Sequence, residues 1–354
     1  MVRRVTFAVP GSLDTPTGGY TYDRRIVEEL TGLGWTVEVV DVGGDFPCPS
    51  PATRAAARAR LAAIPPGQPI VIDGLALGVL PEVAAALSTT HPLIALVHHP
   101  LALESGLSAS EADALRRSEC LALAHARHVV VTSPATARVL GGEFAVPTDR
   151  LTVAPPGTDR ARRSRGSGDE TMTLLAVGSL TPRKGYDVLL KALAMLRDLP
   201  WRLTIAGDAR DAATACHVEA DIATFNLKDR VVLVGAVTQA RLDDLYDAAD
   251  VFVLASRYEG YGMAYAQAIA HGVPVIGTTG GAIPDTVPKG AGILVAPDDI
   301  EAFSDALRRI IGVPDERTRL ADAAWAAAET LPTWRGSAAT IAQVIEAAVK
   351  KASA

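Results

Sequence analysis

Three cysteines, Cys48, Cys120 and Cys216, are all that the 354 residues contain. They stand far apart, with neither the pairing of a disulfide framework nor the close doublets of a zinc site. Aromatics make up only 5% of the chain, so its cores must be built mainly from Ala, Val and Leu. No run of 18 apolar residues is free of charge, and no segment therefore reads as a membrane span. Positive charge is not in excess: 34 Lys and Arg against 40 Asp and Glu leave a net −6, which argues against a nucleic-acid partner. The opening MVRRVTFAVPGS has the two arginines of a signal peptide. Its apolar patch is short and lacks a small-residue cleavage site, so it reads as a first strand. A reducing cytoplasm is the expected compartment.

Two motifs are also missing. VPGSLDTPTGGY does not supply the Gly-x-Gly-x-x-Gly that a dinucleotide-binding dehydrogenase needs after its first strand. No Asp-x-Asp triplet occurs, so a metal-held diphosphate is not suggested and no metal or other cofactor is expected.

What is present is strand-helix alternation. VTFAVP, TVEVVDV, PIVIDG, LIALVHH, HVVVTS and LTVAPPG recur through the first half; TLLAVGSL, RLTIAGD, RVVLVG, VFVLAS, PVIGT and GILVAP recur through the second. Such continuously apolar runs are those of parallel strands buried on both faces. The intervening segments read as helices, and SASEADALRRSECLALAHA opens with a capping box, Ser108 to Glu111. The fold class is therefore α/β, with two Rossmann-like, doubly wound domains. Residues 157–170, with four arginines plus Gly and Ser, read as an exposed linker; contact with an anionic membrane surface is the alternative use of that charge.

Two stretches carry candidate chemistry. In VFVLASRYEGYGMAYAQ a buried strand breaks into a loop, and a helix begins near Gly262. Glycines at 260 and 262 allow unusual backbone angles, and the first-turn N–H groups of a helix favour an anion such as phosphate. Glu259 suits neighbouring hydroxyl groups, which a carboxylate accepts strongly. Phosphate beside a polyol is a sugar nucleotide. In AVGSLTPRKGYDVLLKAL, Arg183 and Lys184 stand in a strand-to-helix turn, where adjacent cations suit a diphosphate and would otherwise oppose the helix dipole.

Taken in order and spacing, VGSLTPRKGYDVLLKAL, LTIAGDA and VVLVGAVTQARLDDLYDAADVFVLASRYEGYGMAYAQAIAHGVPVIGTTGGAIPDTV resemble the family 4 (group 1) retaining glycosyltransferases. PTGGYTYDRRIVEELTGLGWTVEVV, the VHHP loop and VVVTSPATARVL extend the resemblance over nearly the whole chain. It implies the GT-B fold, two such domains facing across a cleft: an acceptor-binding domain over 1–160, a nucleotide-sugar-binding domain over 171–332, and a terminal helix over 333–354 packing back on the first domain.

The resemblance also implies roles. Arg183 and Lys184 would hold the donor diphosphate and Glu259 hydroxyls of the transferred sugar. Gly260, Tyr261, Gly262, Met263 and Ala264 would line phosphates and sugar, Val237 would meet the base through its main chain, and Gly18 and Gly19 would let a loop approach the diphosphate. One of His98 and His99 matches the loop histidine beside the sugar, with His99 favoured. Ser179 stands where the family usually has an arginine, and Gln267 where it usually has a second Glu for the donor ribose. The expected activity is metal-independent, retaining transfer of a hexose from a nucleotide sugar, UDP- or GDP-linked, to a small-molecule, glycan or lipid acceptor. A weakly active nucleotide-sugar-binding subunit that requires a partner is the alternative.

Overall fold

The computed structural model describes residues 3–15 and 17–350. It divides into two compact units, one running to Gly157 and resuming at Pro332, the other spanning Thr158–Leu331.

In the first unit six parallel strands form one sheet: β1 (Arg4–Val9), β2 (Thr36–Asp41), β3 (Ile70–Asp73), β4 (Leu93–Val97), β5 (His128–Val131) and β6 (Leu151–Val153). Their order is β2-β1-β3-β4-β5-β6. The apolar runs behave as continuous apolar strands should: every residue of β3 and β4 is buried, because helices cover both faces. Only the edge strand β2 leaves much of its length exposed.

The second unit repeats the plan with β7 (Met172–Val177), β8 (Trp201–Ala206), β9 (Val231–Gly235), β10 (Val251–Val253), β11 (Val275–Thr278) and β12 (Gly292–Val295). All pairings are parallel, in the order β12-β11-β10-β7-β8-β9. The scarce aromatics concentrate here, with Tyr186, Trp201, Tyr246, Phe252, Tyr265 and Phe303 all buried in one core.

The strand orders matter for function. In each sheet the winding reverses once, between β1 and β3 in the first and between β7 and β10 in the second. At such a reversal the loops leaving the two strands part in opposite directions and open a crevice at the carboxyl ends, where open α/β sheets take their ligands. The loop after β7 carries Arg183 and Lys184, and the loop after β10 carries Glu259.

The terminal helix, Trp334–Lys350, buries Ile341, Val344 and Ile345 and packs against the helix Gly18–Gly32 of its own unit. Tyr22 and Trp334 meet edge to face at 5.9 Å. The arginine-rich stretch is not a free linker: Arg160, Arg163 and Arg165 pair with Glu329, Asp322 and Asp247, tying it along the second unit. Among the described residues no helix is long and apolar enough to cross a membrane.

Candidate functional site

β7 delivers the chain to Gly178 and Ser179, after which Pro182–Lys184 form a single 3-10 turn. The turn ends at Gly185 in the left-handed region, φ 64°. A Cβ there would lie 2.0 Å from the carbonyl oxygen of Ala255. Only glycine lets the turn press this closely on the loop leaving β10. The stem of Lys184 crosses Gly178, since a Cβ at that glycine would lie 2.9 Å from Lys184 Cε.

That approach brings the two cations to one carboxylate. Lys184 Nζ donates to Glu259 Oε1 at 2.7 Å, and Arg183 Nη1 donates to Glu259 Oε2 at 3.0 Å and to the Tyr258 carbonyl at 2.7 Å. Ser256 Oγ donates to the same Oε1 at 2.7 Å. The Glu259 main chain is held from a third loop, its carbonyl accepting the Ala282 N–H at 2.8 Å. Glu259 is 6% exposed. Burial opposes its charge, but Lys184 and then Arg183, with the hydrogen bonds, hold its pKa down to about 2. The carboxyl is therefore an acceptor only, under all ordinary conditions.

Gly260, Tyr261 and Gly262 continue the loop into the helix Met263–Ala270. Gly262 caps that helix at φ 97°, so Met263 and Ala264 fall in its first turn, where backbone N–H groups have no partner within the helix. Ser179 lies in the loop after β7, beside the glycine that Lys184 crosses. Val237 lies two strands away, after β9 and just before Thr238 caps the next helix. Gln267, one turn inside its helix and half-buried, points Nε2 at His271 Nε2, 3.4 Å away. His271 stacks on Tyr246 with centroids 5.1 Å apart, and burial lowers its pKa.

The first unit has its own cluster at the β1/β3 reversal. Thr17 caps the helix that begins at Gly18, and a Cβ on Gly19 would stand 3.4 Å from His98 Cδ2. His98 Nε2 lies 3.1 Å from Asp23 Oδ1 and 3.7 Å from Asp73 Oδ2, with Tyr22 edge-on at 5.2 Å. Burial would lower the His98 pKa, yet Asp23 and then Asp73 outweigh it and raise it to about 9. Burial and the Asp23 charge push Asp73 up in turn. These three side chains offer donor atoms within 4.8 Å of one another, a spacing that a cation could use. At neutral pH the ring instead carries the positive charge itself, with Asp23 the nearer acid and Asp73, raised to about 8, holding its proton. His99 turns elsewhere, its Nε2 3.4 Å from Glu104 Oε2.

The structure thus gathers Arg183, Lys184 and Glu259 into one cluster and joins Gly19 to His98 rather than His99. Reading the chain alone missed Ser256, Asp23 and Asp73. Asp73 had a signal, an acid at the carboxyl end of the buried run IVID; Asp23 had a fainter one, on the inward face with Tyr22, Ile26 and Leu30.

Comparison with known proteins places the fold. Residues 171–312 match the family described as Glycosyl transferases group 1. Mannosylfructose-phosphate synthase of Agrobacterium fabrum is 29% identical over 238 residues, which is 62% of this chain and 52% of that protein. The chain spans just over half the length of several such curated relatives. Among solved structures, sucrose-phosphate synthase from Thermosynechococcus elongatus superposes with a TM-score of 0.82 at 22% identity, covering 99% of this chain and 100% of that one. HepE of Anabaena, solved in complex with UDP and glucose, gives 0.80 at 18% identity over 98% and 100%. The fold is GT-B, and residues 171–312 are similar to the group 1 glycosyl transferases.

Proposed function

We propose that the protein is a retaining glycosyltransferase that moves a hexose from a nucleoside-diphosphate sugar to an acceptor hydroxyl without a metal ion. The observation that carries this reading is the convergence of Arg183, Lys184 and Glu259 at the β7/β10 reversal, beside the first turn of the helix Met263–Ala270. Two fixed cations and a helix N-terminus answer the charge of a diphosphate, and an ionised carboxylate beside them answers the hydroxyls of a sugar.

Before donor arrives, Glu259 pairs with both cations and offsets one of their two positive charges. The diphosphate takes over Arg183 and Lys184, and the carboxylate oxygens turn to the sugar. As the bond between the anomeric carbon and the phosphate oxygen breaks, charge grows on the leaving diphosphate, where the two side chains and the first-turn amides stabilise it. The acceptor oxygen bonds the anomeric carbon from the same face, and its proton passes to the departing phosphate oxygen. Because attack and departure share one face, configuration is retained without a protein nucleophile. The structure of HepE with UDP and glucose and the names of mannosyl-transferring relatives, one of them GDP-mannose-dependent, support UDP- or GDP-hexoses as donors. The work is expected in the cytoplasm.

Incubating the purified chain with UDP-glucose, UDP-galactose and GDP-mannose, together with a small-molecule extract, tests the reading. Release of nucleoside diphosphate and a product heavier than its acceptor by one hexose supports it. Substitution of the usual arginine and glutamate by Ser179 and Gln267 favours one second reading, a nucleotide-sugar-binding subunit. On that reading donor binds but no hexose is transferred until a partner protein is added.

A further inference from the structure

Arg257 stands between Ser256 and the Tyr258–Glu259 pair, yet its side chain joins neither cation nor carboxylate of the cluster. Its guanidinium reaches three segments: the loop at Asp298, the helix start at Asp187 and the 3-10 turn at Pro182. Nε donates to Asp298 Oδ1 at 2.8 Å, Nη2 to Asp187 Oδ2 at 2.8 Å, and Nη1 to Asp187 Oδ1 at 3.1 Å and to the Pro182 carbonyl at 2.5 Å. Its backbone N–H donates to the Arg183 carbonyl at 2.8 Å, and Arg183 returns a bond to the Tyr258 carbonyl. The 3-10 turn Pro182–Lys184 is thereby cross-locked to the loop after β10 at both of its first two residues.

Asp298 adds a second, independent observation. It holds φ 63°, a left-handed conformation that a side chain disfavours and glycine adopts freely. An aspartate kept in that conformation serves its carboxylate, which accepts from Arg257. Asp187, in the first turn of the helix Tyr186–Ala194, takes the fork of the guanidinium with both oxygens. A planar fork fixes direction as well as distance, which an ammonium group cannot do.

We propose that Arg257 is a positioning residue for the donor diphosphate, holding the Pro182–Lys184 turn where Arg183 and Lys184 converge, with Asp187 and Asp298 as its anchors. This rests on the diphosphate reading of those two cations. Arg257 touches no substrate. Its removal lets the turn drift, and what suffers is the second phosphate, the group that needs both cations at once.

The experiment is titration calorimetry with UDP, GDP, ADP and TDP, keeping whichever binds most tightly, followed by its monophosphate. The readout is the ratio of diphosphate to monophosphate affinity in Arg257→Lys, Asp298→Gly and Lys184→Ala. Arg257→Lys should cut the ratio roughly tenfold, and Asp298→Gly a fewfold while leaving Tm unchanged or higher. A general loosening of the unit, with both nucleotides weakened equally and Tm lowered, overturns the positioning role. So does a ratio that falls in Lys184→Ala but holds in the other two. A ratio unchanged in Lys184→Ala overturns the diphosphate reading itself, and this inference with it.

Discussion

Lys184 and Glu259, 75 positions apart in the chain, meet at 2.7 Å with side chains 13% and 8% exposed. A buried pair is weak evidence for stability, because desolvating two charges costs about as much as their attraction returns. Its value here is different. Glu259 keeps two cations desolvated and oriented in the absence of ligand, so an anion entering the site exchanges one partner for another and need not order a loose side chain. The pair is a competitor for the diphosphate as well as its scaffold.

Glu259→Gln is therefore expected to separate binding from transfer. The neutral amide releases Arg183 and Lys184, so nucleoside diphosphate should bind as tightly as to wild type or more tightly. Transfer should fall on the order of 100-fold, since the acceptor for the sugar hydroxyls is weakened. Calorimetry beside steady-state turnover reads both. Parallel losses in binding and turnover would contradict the role given to Glu259.

Gln267→Glu addresses the donor ribose. A carboxylate accepts from both ribose hydroxyls, whereas the amide offers one acceptor oxygen, and that amide already faces His271. The charged acceptor should lower KM for a ribonucleotide donor roughly tenfold, a change of about 1.4 kcal/mol, with turnover similar. If wild type already prefers a thymidine diphosphate sugar, the donor has a single hydroxyl to satisfy. Unchanged KM in both Gln267→Glu and Gln267→Ala would make Gln267 a helix residue without a donor role.

Stability should fall as pH rises through the alkaline range. His98 titrates near 9 when folded against 6.5 when unfolded, so the folded chain binds more protons in that window. Its contribution is complete below about pH 6.5 and lost as pH climbs through about 9. Asp73, raised from 3.8 to about 8, contributes over a lower window, complete below about pH 3.8 and lost by about pH 8. At about 1.4 kcal/mol per unit the His98 loss is at most roughly 3 kcal/mol. Urea unfolding of wild type and His98→Gln at pH 7 and 9.5 measures it. The wild type should lose more than the variant, and equal losses would contradict the His98 assignment.

Much of this was legible in the chain. The two sets of six apolar runs became two six-stranded sheets, because burial on both faces leaves no room for alternation. Arg183, Lys184 and Glu259 stood out by local chemistry alone, as cations and an acid at strand ends. Their mutual pairing did not, since it depends on the winding reversal that sets β7 beside β10. The chain favoured His99, yet His98 is the one beside Gly19 and Asp23; adjacent residues at a strand end point opposite ways, and the placement of Asp23 that distinguishes them is not visible in the chain. Arg257 was hidden for a similar reason: its partners Asp187 and Asp298 lie 70 and 41 residues away.

Lys184→Ala tests the central claim most directly. Turnover with the preferred nucleotide sugar, measured by release of nucleoside diphosphate, should drop on the order of 100-fold or more, as loss of one charge-stabilising donor does. Affinity for the free nucleoside diphosphate should weaken alongside it while the monophosphate binds nearly as before. A Lys184→Ala variant that is folded and turns over at near-normal rate would place the diphosphate elsewhere and contradict the account.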